Sequence, residues 1–79
     1  MSRIKVFTAV IEHKHGSNHY TARTEKGLYQ KLAGFCRQWW KQEMGSTPMP
    51  KTNVKLVNAY FDTMSARGQE FLDLGQDSI

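Results

Sequence analysis

The chain has 79 residues, a formal net charge of +4 at pH 7 and a hydrophobic content of 39% that includes four Phe, two Trp and three Tyr. This composition excludes a disordered tail and predicts one folded domain over residues 1–79. A single cysteine excludes an internal disulfide, and no apolar run has the length of a membrane span or of a signal-peptide core, so we expect a cytoplasmic protein.

Residues 3–12 predict a strand that is apolar on both sides from Phe7 to Ile11, which is typical of a central strand. If Ile4, Val6 and Val10 face the helices, then Phe7, Ala9 and Ile11 point to the opposite side of the sheet. The segment 13–18 is rich in turn-forming residues, and 19–23 predicts the returning strand of a hairpin.

Residues 24–43 predict a long first helix with Thr24 as its N-cap. Apolar residues form two adjacent stripes, so this helix is expected to pack against both a sheet and a second helix. Trp39 is predicted to lie in the core, whereas Trp40 either packs against Tyr60 and Phe61 or serves as an exposed anchor. The opposite face carries no acidic residue and consists of Lys26, Gln30, Gly34, Arg37 and Lys41.

Two prolines and a glycine within 45–50 predict a loop, and a second helix capped by Thr52 or Asn53 is expected to end at Gly68. Residues 70–74 alternate and predict a third strand, followed by a polar, flexible tail over 75–79. The order β-β-α-α-β indicates an α+β fold: a three-stranded, mainly antiparallel sheet with two helices on one face and the first strand in the middle. The open face would then carry Phe7, Ile11 and Phe71.

Three histidines surround the predicted hairpin turn. The spacing of His13 and His15 is one that metal sites use, and His19 would supply a third ligand. No carboxylate except Glu12 is near enough in sequence to support these ligands. We therefore expect no bound metal and no cofactor, and interpret the hairpin tip as either solvated or in contact with an acidic group.

The sequence shows neither a nucleophile beside a base nor a pair of carboxylates placed for catalysis, so we expect a non-enzymatic protein. The basic residues are uneven: residues 1–51 hold nine Lys/Arg against three Asp/Glu, while 52–79 hold two against four. This asymmetry indicates an acidic partner for the first two-thirds of the chain.

Two functions agree with that charge. The favoured hypothesis is docking on a host protein or protein–nucleic acid complex, with a homodimer through the open sheet face as a further arrangement. The alternative is direct nucleic-acid binding by the basic hairpin and basic helix face. The residues predicted to contact a partner or nucleic acid are Lys5, Phe7, Ile11, His13, Lys14, His15, His19, Arg23, Lys26, Arg37 and Lys41.

The strand that runs into His13-Lys14-His15-Gly16, the helix ending in Trp39-Trp40, the segment 59–61 and the late segment 69–71 together resemble small single-domain accessory proteins of phages and plasmids. Many such proteins occupy a functional surface of a host protein, including inhibitors of CRISPR or restriction defences. The resemblance implies stoichiometric binding without a cofactor, in the cytoplasm. Nucleic-acid mimics of this kind are usually acidic, so this basic chain departs from that pattern.

Overall fold

The computed structural model describes residues 5–13 and 15–78. Three strands and two helices follow in the order β1 (Lys5–His13), β2 (Gly16–Ala22), α1 (Glu25–Met44), α2 (Asn53–Ala66) and β3 (Glu70–Ser78). The predicted β-β-α-α-β order and the α+β fold are therefore confirmed.

The three strands form one antiparallel sheet in the order β2-β1-β3, so the first strand is the central one, as predicted. On one side, Val10 pairs with His19 of β2; on the other, it pairs with Asp73 of β3. Because paired residues point to the same face of a sheet, this register decides which side chains face the helices.

The predicted facing of β1 is wrong for the described residues, and Ile4 lies outside them. Ala9 and Ile11 are buried at 1% and 0% exposure in the core that also contains residues of both helices, and Phe7 packs against that core. Val6 and Val10 alternate with them and lie on the open face. Since both sets are apolar, the alternation alone did not distinguish the two faces. Which face of β1 packs against the helices is determined by the neighbouring strands, since Tyr20 of β2 and Leu72 of β3 lie on the same face as Ala9 and Ile11.

Two strand boundaries also differ from those predicted. β2 begins at Gly16, inside the predicted turn, and Gly16 has a φ of 132° that favours glycine. β3 continues to Ser78, so residues 75–78 of the expected flexible tail pair with β1, where Gly75 lies opposite Thr8. This extension follows from the length of β1, whose first residues offer backbone groups that the tail satisfies. Residue 79 of that tail lies outside the described part.

Side chains cap both helices at their N-termini as expected. The backbone N–H of Gly27 donates to Thr24 Oγ1 at 3.0 Å, and that of Lys55 donates to Thr52 Oγ1 at 3.3 Å. At the other end of α1, Gly45 adopts a φ of 62° and donates its N–H to the carbonyl of Lys41.

The core between the helices and the sheet is centred on α2, which buries Leu56, Val57, Tyr60, Phe61 and Met64. Trp40 is buried, its ring lies 6.5 Å from that of Tyr60, and its indole N–H donates to the carbonyl of Thr47 at 2.8 Å. The packed alternative for Trp40 is therefore the one observed. Trp39, expected in the core, is only partly buried. Within residues 5–13 and 15–78, neither helix combines the length and apolarity that crossing a membrane requires.

Candidate functional site: the outer face of α1 and an adjoining cleft

The outer face of α1 is basic and fully exposed. Lys26, Arg37 and Lys41 are all exposed, as the spacing predicted, and they extend over about 22 Å of helix. Lys31, which is not among the predicted contact residues, is also exposed on this face, and its ammonium donates to the carbonyl of Thr21 on β2. We define the basic face of α1 as the exposed residues Lys26, Gln30, Lys31, Gly34, Arg37, Gln38, Lys41 and Gln42.

The charge of this face and its lack of large exposed hydrophobic residues limit the kind of partner it can bind. No acidic residue lies among these positions, so nothing within the face offsets its positive charge. None of the exposed large hydrophobic residues in the described part of the chain lies on α1 either; they are Met49, Val54, Phe71 and Leu74. Arg37 donates a 2.7 Å hydrogen bond to Asn53 Oδ1, which ties the face to the first turn of α2.

The remaining predicted contact residues are scattered. Lys5, His15 and Arg23 are exposed, but they lie outside the basic face of α1. Ile11 is fully buried and Phe7 packs against the core, so the prediction that both side chains lie on the open face is wrong. Lys14 lies outside the described residues.

The three histidines are not brought together. His13 lies on the helix side of the sheet, opposite Gly16 and Glu70, whereas His19 pairs with Val10 and points to the open face. The rings of His13 and His15 are 6.3 Å apart. Within residues 5–13 and 15–78, no three metal-binding side chains form a group that could hold an ion.

A cleft of about 780 Å³ opens beside the second half of α1. Three aromatic side chains line it, Tyr20 of β2 and Phe35 and Trp39 of α1, and together they are named the aromatic wall. Gln38 and Gln42 line the cleft and also belong to the basic face of α1. The other lining residues are His13, His15, Asn18, Glu43, Met64, Gly68, Gln69 and Glu70.

Hydrogen bonds order the hairpin side of this cleft. The backbone N–H of His15 donates to Nδ1 of His13 at 3.3 Å, which places the proton of the neutral ring on Nε2. Nε2 lies 3.4 Å from Asn18 Oδ1, and the Asn18 amide donates in turn to the Tyr20 hydroxyl at 3.5 Å. These long bonds leave the polar groups able to exchange partners with a ligand.

Charge in the cleft comes from two carboxylates. Glu70 accepts a 2.9 Å hydrogen bond from the buried Tyr60 phenol. Glu43 lies 3.9 Å from Arg67, which also donates to the Glu43 carbonyl at 3.0 Å. No Lys or Arg is among the described residues that line the cleft. The cleft is therefore polar and aromatic, whereas the adjoining face of α1 is cationic.

Cys36 and Tyr60 have raised pKa values and do not act as nucleophiles or proton donors near neutral pH. Burial raises the pKa of the Cys36 thiol to about 12, with the charge of Glu70 adding to the effect and that of Arg37 opposing it. Burial also raises the pKa of Tyr60, and its hydrogen bond to Glu70 adds to this shift. Both groups stay protonated at pH 7, so neither is activated for catalysis.

The open face of the sheet is mixed in character. Val6 and Val10 of the central strand are partly exposed, and Phe71 of β3, paired with Glu12, is 47% exposed. Phe71 is thus on the open face, as predicted, while Phe7 and Ile11 are not. Asp73 and Glu12 make this side of the molecule more acidic than the basic face of α1.

No protein-family model, curated protein or solved structure matches the chain. The function must therefore be inferred from the geometry and chemistry of the basic face of α1, the cleft and the open face of the sheet.

Proposed function

We propose that this protein is a non-enzymatic binding module that contacts nucleic acid through the basic face of α1. The observation that carries the proposal is the exposure of four cationic side chains on a helix face that holds no acid. Lys and Arg neutralise phosphates and release counterions, which supplies affinity independent of sequence. Gln30 on the same face adds hydrogen-bond donors that phosphate and sugar oxygens accept.

The same face offers little to a protein partner. Protein interfaces gain most of their affinity from a few buried aromatic, apolar or arginine anchors surrounded by polar groups. The face contains a single arginine, and no exposed large hydrophobic residue in the described part of the chain lies on α1. A polyanion requires no such anchor, so the composition of the face favours nucleic acid over protein.

Matched charge variants test the proposal. Lys26→Gln/Lys41→Gln lowers the net charge by two on the basic face, while Lys5→Gln/Lys55→Gln lowers it by two at exposed positions elsewhere. Binding to labelled single- and double-stranded oligonucleotides is measured by fluorescence anisotropy between 50 and 200 mM salt. We expect the dissociation constant of the wild type to rise steeply with salt concentration. In a plot of the logarithm of the dissociation constant against the logarithm of the salt concentration, the slope of the Lys26→Gln/Lys41→Gln variant should be smaller by roughly 1.5 to 2.

The matched control should keep the slope of the wild type, because its substitutions lie away from the basic face. Absence of binding at 50 mM salt would overturn the proposal. So would an equal loss of affinity in the two variants, which would show that only net charge matters.

The open sheet face favours a second candidate function, docking on a host protein. Phe71 is a half-exposed aromatic residue, and the partly exposed Val10 lies two residues along β1 from Glu12, the cross-strand partner of Phe71. An aromatic side chain of this kind is a typical interface anchor. Occupation of a functional surface in the cytoplasm, for example of a defence system, would follow from the resemblance to phage and plasmid proteins. A homodimer through this face is a competing outcome.

Affinity purification from the native host at moderate salt tests the second candidate. We expect a stoichiometric partner that is retained by the Lys26→Gln/Lys41→Gln variant and lost in Phe71→Thr. Sedimentation of the purified protein separates the homodimer from a monomer. A monomer without a stoichiometric partner would rule out docking through this face.

A further inference from the structure

We propose that the cleft beside α1 receives one unstacked base of a nucleic-acid single strand, an inference that rests on the proposed function and names the form of nucleic acid bound. The cleft and the basic face of α1 share one edge, since Gln38 and Gln42 belong to both. Arg37 and Lys41 are their neighbours in the chain. A strand whose phosphates follow Arg37 and Lys41 therefore passes the mouth of the cleft.

The aromatic wall is suited to stacking. Phe35 is held in place because its ring stacks on Phe61 at an interplanar angle of 12° and meets the edge of Tyr60 at 89°. Trp39, next to Phe35 at 6.5 Å, is only partly buried. A rigid core thus supports an aromatic side chain with accessible surface. Such side chains bind unpaired bases of any sequence through their faces.

The polar lining matches the edges of a base better than it matches a phosphate. Gln38, Gln42, Gln69 and Asn18 each carry an amide with both donors and an acceptor, the combination that reads base edges. The carboxylates of Glu70 and Glu43 disfavour a phosphate inside the cleft, Glu43 less strongly because Arg67 lies 3.9 Å away. Both can accept hydrogen bonds from exocyclic amino groups. The electrostatics therefore assign the phosphates to the basic face of α1 and the base to the cleft.

The volume of the cleft agrees with this assignment. A space of about 780 Å³ falls in the range of sites that enclose small organic ligands, and it holds a nucleoside with room for water. A duplex keeps its bases stacked and cannot insert one without an unpairing cost of a few kcal/mol. Single strands avoid that cost, so they are the expected ligand.

Substitution of Trp39 tests the proposal. Trp39→Leu keeps an apolar side chain but removes the stacking surface, and circular dichroism checks that the variant is folded. With a 20-nucleotide single strand of mixed sequence at 50 mM salt, we expect the affinity to fall roughly tenfold while the salt dependence is unchanged. A duplex of the same length should bind wild type and Trp39→Leu equally, and an abasic strand should bind the wild type as weakly as the intact strand binds the variant.

A second variant keeps the test decisive if Trp39→Leu does not fold. Gln69→Ala removes an exposed amide that lines the cleft and lies outside the basic face of α1, and it should weaken single-strand binding several-fold with little effect on the duplex. Two outcomes would overturn the inference alone: salt-dependent binding with no preference for single strands, or unchanged single-strand affinity in these variants. Absence of binding by any oligonucleotide would instead overturn the proposed function.

Discussion

The Tyr60 phenol donates a 2.9 Å hydrogen bond to Oε1 of Glu70, which joins the middle of α2 to the first residue of β3. Tyr60 is fully buried, whereas Glu70 lines the cleft and pairs across the sheet with His13. The bond therefore connects the interior of the protein to the wall of the proposed base site. It also satisfies a hydroxyl that would be costly to bury without a partner.

Removing this hydroxyl should destabilise the fold. Tyr60→Phe loses a hydrogen bond to a charged acceptor, for which the expected cost is about 1.5–3 kcal/mol in the free energy of unfolding, measured by urea denaturation at pH 7. Tyr20→Phe is the matched control, because the Tyr20 hydroxyl makes only a 3.5 Å contact with Asn18 and should contribute less than about 1 kcal/mol. Equal effects of the two substitutions would contradict the role given to the Tyr60–Glu70 bond.

The buried thiol of Cys36 should make stability fall in alkaline solution. Burial raises its pKa from 9.0 to about 12, so above pH 9 the unfolded chain releases a proton that the folded protein retains. This stabilising contribution is complete below pH 9 and is lost as the pH rises toward 12, by at most about 1.4 kcal/mol per pH unit. Tyr60, whose pKa is also raised, adds to the loss above its ordinary value of 10.

Urea denaturation at pH 8, 9 and 10 measures this dependence. We expect Cys36→Ala to show a shallower decrease between pH 9 and 10 than the wild type, although its stability at pH 8 is lower because a buried side chain has been shortened. In the folded wild type at pH 8, a thiol reagent should react far more slowly than in urea. Rapid native-state labelling would contradict the burial of Cys36.

Particular residues explain why the fold was predictable and the site only partly so. The helices followed from local signals, such as the Thr24 and Thr52 caps and the apolar spacing of α1, which act within a few residues. The facing of β1 did not, because its two sides are both apolar and the choice depends on distant neighbours such as Leu72. Similarly, Trp39 and Trp40 are adjacent in sequence, and only the position of α2 determines which one is buried.

The basic face of α1 could be predicted from helical spacing because all its residues belong to one element. The cleft could not be predicted, because its lining residues come from the hairpin, α1 and the start of β3. These segments are far apart in the sequence, and no short-range pattern indicates that they are in contact. Lys31 was missed for a related reason: it lies at the edge of the polar arc, and its neighbour Thr21 comes from β2.

The N-cap of α1 should contribute measurably to stability. Thr24→Ala removes the oxygen that accepts the Gly27 N–H, and the expected cost is about 0.5–2 kcal/mol in the free energy of unfolding. Thr24→Ser keeps that oxygen and should remain within about 0.5 kcal/mol of the wild type. Thermal unfolding followed by circular dichroism distinguishes the two, and a Ser variant as unstable as the Ala variant would show that the methyl group, rather than the cap, matters.

Opposite faces of the sheet should respond very differently to truncation. Ile11 is completely buried, so Ile11→Ala should cost about 2–5 kcal/mol through lost apolar contact and the cavity left behind. Phe71 on the open face is 47% exposed, and Phe71→Thr keeps a residue that favours strands, so its cost should stay below about 1 kcal/mol. Urea denaturation of both variants measures the difference. Because β1 is apolar on both sides, the reverse order of effects would mean that the sheet presents its other face to the helices, and the docking surface assigned to Phe71 would then be wrong.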